Sequence, residues 1–109
     1  MEHLTQYEEK ERWIFMKKEK NETSYKIEEV INEVKELLLL KNEQYGNSAL
    51  EPVGIFAQGK ASDLIRVRMD DKISRLALGI ETIEKDEDII LDLAGYCVLL
   101  LIAMRNEGE

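Results

Sequence analysis

The sequence predicts an all-α fold: a compact helical bundle of three to four main helices, oligomeric. Three observations predict it. Apolar residues recur at three- and four-residue spacing in two long stretches and fill most positions of a third. Aromatics make up only 6% of the chain, and β-branched alternating runs are scarce. Hydrophobic content is 44%, with one Pro and six Gly among 109 residues. That composition suits a folded helical domain and argues against disorder.

The elements follow in chain order. Residues 1–22, dense in charge, read as an N-terminal arm or short helix carrying the apolar knot Trp13-Ile14-Phe15-Met16. The knot would dock on the body or on a partner subunit. His3 is a lone histidine near the terminus and is given no role. Residues 23–109 form the body. Thr23 and Ser24 offer an N-cap. Ile27, Val30, Ile31, Val34, Leu37 and Leu38 then fall on one helical face, with glutamates on the others. Gly46 fits a left-handed cap at the end of that helix. Glu51-Pro52-Val53-Gly54 reads as a turn, and Ile55-Phe56-Ala57 as a short apolar patch able to form one helical turn.

A second long helix is expected from Lys60 or Ala61 to about Ile83. Its apolar stripe is Ile65, Met69, Ile73, Leu76 and Ile80. Beside it runs a charged stripe, Arg68, Asp71, Lys72 and Arg75. Asp86 is the expected N-cap of the last helix. From Ile89 to Met104 that helix is apolar on almost every side. Such a helix must be buried on most faces, in a bundle core or against another subunit. Three long helices cannot bury this much apolar surface alone, so a homo-oligomer is expected. Cys97 reads as a small buried core residue, and a single cysteine fits a reducing compartment.

Net charge is −8. A chain this acidic is a poor electrostatic partner for duplex nucleic acid or an anionic membrane. The uninterrupted apolar run Tyr96 to Met104 falls far short of the roughly 20 residues that span a bilayer. The charged N-terminus lacks the apolar region of a signal peptide. A cytoplasmic location is the expectation.

Carboxylates on the apolar helix are the first functional suspects, because burying one is costly unless it is paired, hydrogen-bonded or metal-bound. Asp88 and Asp92 share a stripe with Gly95. The last two helices, joined by a short turn, should pack antiparallel. Asp71, Asp88 and Asp92 are therefore candidate ligands for Mg²⁺, which takes one or two protein carboxylates and completes its shell with water and phosphate oxygens. Arg68, Lys72 and Arg75 would hold the phosphates. The bland alternative is a set of solvated salt bridges.

Three blocks carry a resemblance. They are Lys41-Asn42-Glu43-Gln44-Tyr45-Gly46 with Ser48, Ile65 to Leu76, and Glu87 to Tyr96. Together they are similar to the K-N-x-D-Y-G-x-S, R-x-x-D-K-x-x-R-L and E-D-T-L-L-D-L-A-N-Y motifs of the nucleotide modification associated domain type 1 family. That phage and bacterial family looks related to the all-α nucleoside triphosphate pyrophosphohydrolases of the MazG and dimeric dUTPase type. The resemblance covers roughly residues 27–102. It implies an oligomeric all-α fold with a nucleotide pocket near Lys41, Tyr45, Arg68, Asp71, Lys72, Arg75, Asp88 and Asp92. Tyr45 could stack on a base, and Gly46 would let the chain approach it closely. Gln44 stands where the family usually has Asp, and Gly95 where Asn is common. The pyrophosphohydrolases carry an E-x-x-E on one helix and an E-x-x-D on the next, whereas here the earlier helix offers Asp71 with basic Lys72 and Arg75.

Three functions compete. In the first, a phage-type protein binds or sequesters a phosphorylated nucleotide, including a cyclic or signalling one, and so counters host defence; Mg²⁺ is not required. In the second, a Mg²⁺-dependent nucleotide phosphohydrolase uses a metal-bound water. In the third, a helical assembly domain binds no nucleotide at all. The cation-rich, carboxylate-poor stripe favours the first.

Overall fold

Among the described residues four helices follow one another: α1 (Gln6–Glu19), α2 (Glu22–Tyr45), α3 (Ala61–Leu78) and α4 (Asp86–Asn106). The computed structural model describes residues 5–19, 21–79 and 84–108, and the side chains of these except residues 15–19. No strand occurs among the described residues, so the expected all-α class holds. The chain packs as two units, Met1–Glu33 and Val34–Glu109, and the boundary between them falls inside α2.

The first unit is held by local chemistry. Thr5 opens α1, its hydroxyl accepting the Glu8 amide at 3.1 Å. Asn21 opens α2: its Oδ1 accepts the Thr23 amide at 2.9 Å. The cap expected at Thr23 or Ser24 therefore moves back to Asn21, since a side-chain amide oxygen reaches the free N–H groups of the first turn from there. Trp13 and Ile14 of the apolar knot are largely exposed. Phe15 and Met16 lie outside the described side chains.

The second unit contains the end of α2, all of α3 and all of α4. Gly46, at φ 62°, stops α2 after Tyr45, as its position predicts. The segment after it turns on Asn47, whose carbonyl accepts the amides of Leu50 and Glu51. No helical turn forms at Ile55-Phe56-Ala57, and Phe56 is fully exposed. The four residues between Gly54 and Gly59 are too few to nucleate an isolated turn.

α3 ends earlier than expected. Gly79 is left-handed at φ 61°, and the helix stops at Leu78 rather than near Ile83. Ile80, assigned to the apolar stripe, lies outside the described residues. α4 starts one residue earlier than expected: Asp86 is its first helical residue and Lys85 its cap position, with no side-chain capping bond.

α3 and α4 pack antiparallel. Ser62, at the start of α3, donates its hydroxyl to Glu107, at the end of α4, over 2.6 Å. Lys72, late in α3, meets Asp92, early in α4. The buried apolar side chains among the described residues are Ile65, Ile89 and Ala103. This is a thin core. α4 buries only Ile89, Gly95 and Ala103, while Ile90, Val98, Leu101 and Ile102 stay exposed. Cys97, expected in the core, is exposed as well. The helix has a face that nothing in its own unit covers.

Candidate functional site

The end of α2 and the facing sides of α3 and α4 enclose a cleft of about 350 Å³. That volume lies in the range of small-molecule sites. α2 contributes Lys41, Asn42 and Tyr45, and the turn after it contributes Gly46 and Ser48. α3 contributes Arg68, and α4 contributes Asp92, Gly95 and Tyr96.

Gly95 sets the spacing of two walls. A Cβ there would stand 3.1 Å from Leu38 Cδ2 of α2. With only hydrogen at that point, α2 comes close enough for Lys41 to reach across. Lys41 Nζ donates to Asp92 Oδ1 at 2.9 Å. The other oxygen of Asp92 meets Lys72 Nζ at 2.9 Å.

The contacts continue as a ladder. Lys72 donates to Glu84 Oε1 at 2.6 Å. Arg75 donates to Glu84 Oε2 at 3.1 Å and to Asp71 Oδ2 at 2.6 Å. The order is Lys41, Asp92, Lys72, Glu84, Arg75, Asp71, and burial is greatest in the middle. Lys72 and Asp92 are 14% and 18% exposed, against 44% for Lys41 and 61% for Asp71. Opposite charges therefore meet where water is scarcest, which is where each would be most costly unpaired.

Burial opposes the charged form of Asp92, but the hydrogen bonds from Lys41 and Lys72 outweigh it and hold its pKa below the ordinary 3.8. Burial likewise opposes the Lys72 ammonium. Hydrogen bonds to Glu84 and Asp92 outweigh that too and raise its pKa above 10.5. Both groups stay ionised at neutral pH.

Arg68 differs from the other basic residues of the charged stripe. It is exposed, lines the cleft, and among the described residues has no ion pair. Its five N–H donors are free to meet an anion. Tyr45, 68% exposed, stands on the same cleft.

Of the expected site residues, the cleft gathers Lys41, Tyr45, Gly46, Arg68 and Asp92. Lys72 stands directly behind Asp92, and Arg75 one carboxylate further on. The expected metal set is not gathered. No group of three His, Cys, Asp or Glu side chains comes together among the described residues. Asp71 is taken by Arg75, Asp92 by two lysines, and Asp88 is exposed. Two ammonium groups on Asp92 occupy the oxygens a cation would need and repel it. These residues do not fit a Mg²⁺ site built from the three aspartates.

Sequence reasoning overlooked Glu84, which meets both Lys72 and Arg75 of α3 from the α3–α4 connection. No helical spacing signals a carboxylate lying in a loop. It also overlooked the Ser62–Glu107 contact, for which the only signal is a buried-size Ser opening a helix.

Compared with family models, curated proteins and solved structures, the chain matches none.

Proposed function

We propose that this chain binds a phosphorylated nucleotide in the cleft between α2, α3 and α4 and releases it unchanged. The observation that carries the reading is Arg68: an exposed cation without a carboxylate partner among the described residues, facing a cleft in a chain of net charge −8. Arg68 would take the phosphate, joined by the half-exposed head of Lys41. Tyr45 would take the base by stacking, and the backbone at Gly46 and the hydroxyl of Ser48 border the same space. All three sequence blocks that resemble the nucleotide modification associated domain contribute residues to this one cleft, which supports the same reading.

Binding is favoured over hydrolysis by the state of the carboxylates. Cutting a phosphoanhydride calls for a base or a metal-held water. Asp92, the carboxylate that lines the cleft, accepts from a lysine on each oxygen and has its pKa held low. It is a poor proton acceptor. A protein that binds without turnover sequesters its ligand, and a signalling nucleotide held this way is withheld from host defence.

The test is an incubate-and-release assay on the purified chain with linear and cyclic nucleotides. A nucleotide depleted from the undenatured filtrate and recovered intact after denaturation supports the reading. A shortened or linearised product makes the chain an enzyme, and nucleotides that all stay free remove the reading. Arg68→Ala should weaken binding by about ten- to a hundredfold, the loss of one charge-assisted contact, with helicity unchanged.

A further inference from the structure

α4 carries a second feature that the nucleotide reading does not use. Ile90, Ala94, Cys97, Leu101 and Met104 recur at alternating spacings of four and three residues. That is the heptad rhythm of a seam at which two helices interlock. Ile90 and Leu101 are 55% and 51% exposed, Cys97 is exposed, and Val98 beside them is 43% exposed. At 3.6 residues per turn the stripe lies on the opposite side of α4 from Asp92 and Gly95, so the cleft and the stripe do not compete for space.

The stripe is also self-complementary. Lay a second α4 against it, antiparallel, with the dyad between Ala94 and Cys97. Ile90 then faces Leu101 of the other copy, and Ala94 faces Cys97. Large residues sit at the outer layers and small ones at the centre, where the two backbones approach. In the same register Asp86 faces Arg105. α4 opens with Asp86, Glu87 and Asp88 and ends with Arg105 as its basic residue. The antiparallel arrangement therefore sets the acidic end of each helix beside the basic end of the other and opposes the helix dipoles. A parallel arrangement would put acid against acid.

We infer that the exposed face of α4 is the interface with a second copy of this chain, paired antiparallel through Ile90, Ala94, Cys97 and Leu101 with Asp86–Arg105 contacts at both ends. The interface is isologous, as a twofold dimer requires. The two clefts face away from it, so each protomer keeps a whole nucleotide site. The proposal does not rest on the nucleotide reading.

Sedimentation equilibrium of the full chain tests it. The expected result is a reversible monomer–dimer equilibrium. Leu101→Asp should raise the dissociation constant at least about tenfold, while far-ultraviolet circular dichroism stays unchanged because Leu101 is half exposed in the protomer. Asp86→Arg and Arg105→Asp should each weaken the dimer, and the two together should restore it. Within one helix those residues are about 28 Å apart, and both changes oppose the helix dipole, so restoration can only come from contact between copies. A short bis-maleimide should also join two Cys97 thiols in the unaltered dimer and fail in Leu101→Asp. A chain that stays monomeric, or a dimer indifferent to Leu101→Asp, overturns the proposal. So does a double charge variant no tighter than either single one. A monomer in which Leu101→Asp shifts Trp13 fluorescence assigns the face to α1 and overturns it as well.

Discussion

Two carboxylates tie α3 to α4 at opposite ends of the hairpin, and they do different work. Glu107 accepts the hydroxyl of Ser62 at 2.6 Å and its amide at 3.2 Å. The Ser62 hydroxyl is the main reason its pKa lies below the ordinary range. Ser62 is fully buried, and Lys60 at the cap position of α3 makes no side-chain cap bond. Glu107 thus caps α3 from the end of α4, accepting the Ser62 N–H of its first turn. Asp92 is held by two lysines and opens on the cleft through the half-exposed Lys41. One anchor closes on itself, and the other leaves charge at the edge of a cavity. A lowered carboxylate pKa therefore does not separate structure from function. What separates them is whether the partners of the carboxylate still face open space.

The largest effect should come from closing that space. Gly95→Val puts a branched side chain where even a single carbon would stand 3.1 Å from Leu38. Overpacking of this kind costs about 1 to 3 kcal/mol, and the upper end is expected because α2 must move away from α4. Urea denaturation measures the loss, and the same displacement should pull Lys41 off Asp92 and abolish nucleotide binding. A variant as stable as the parent would mean that Leu38 simply swings aside and that Gly95 does not set the spacing.

Next is the open anchor itself. Asp92→Asn keeps the shape and removes the charge shared by Lys41 and Lys72. Lys72 retains Glu84, so the loss should be that of one charged hydrogen-bonding partner, about 2 kcal/mol. Nucleotide affinity should change with it, since Lys41 is no longer held.

The pH profile sharpens the comparison in both directions. The folded pKa of Asp92 is depressed, so its contribution is full above its unfolded value near 3.8 and is lost as pH falls through the lower folded value. The folded pKa of Lys72 is raised, so its contribution is full below the unfolded value near 10.5 and is lost as pH rises through the higher folded value. Thermal melts of the parent should be flat between these windows and fall outside them. In Asp92→Asn the acid limb should shrink, leaving the share that belongs to Glu107.

Much of the fold and part of the site are legible in the residues themselves. Gly46 announces the end of α2, and the apolar density of residues 89–104 announces α4. Asp92 stands out because a carboxylate among apolar neighbours must have partners, and it has two. The misreadings share a cause. Periodicity reports which residues share a face, and it is silent on how much surface covers that face. Cys97 reads as core, yet lies with Ile90 and Leu101 on the side of α4 that its own unit leaves bare. Spacing also cannot say which charge a carboxylate meets. Asp71, Asp88 and Asp92 looked like one acidic set, and the basic residues interleaved with them take two of the three. The α3 boundary was visible in Gly79, whose freedom at positive φ is enough to end a helix inside an otherwise continuous pattern.

The smallest effect should come from the closed anchor. Ser62→Ala removes the hydroxyl that meets Glu107 Oε1 but leaves the Ser62 backbone amide able to donate to Oε2. The carboxylate is at the surface and regains water, so no buried charge is stranded. The melting temperature should fall by less than in Asp92→Asn. Glu107→Gln keeps one acceptor oxygen and sets an amide NH2 where the second was, so it should cost about as much as Ser62→Ala. The double variant should cost no more than Ser62→Ala alone, because both changes act on one contact. Neither should alter nucleotide affinity, since the contact lies at the far end of the hairpin from Asp92. If Ser62→Ala weakens nucleotide binding as much as Asp92→Asn does, the two anchors are coupled through α4 and the distinction between a closing contact and a site contact is lost.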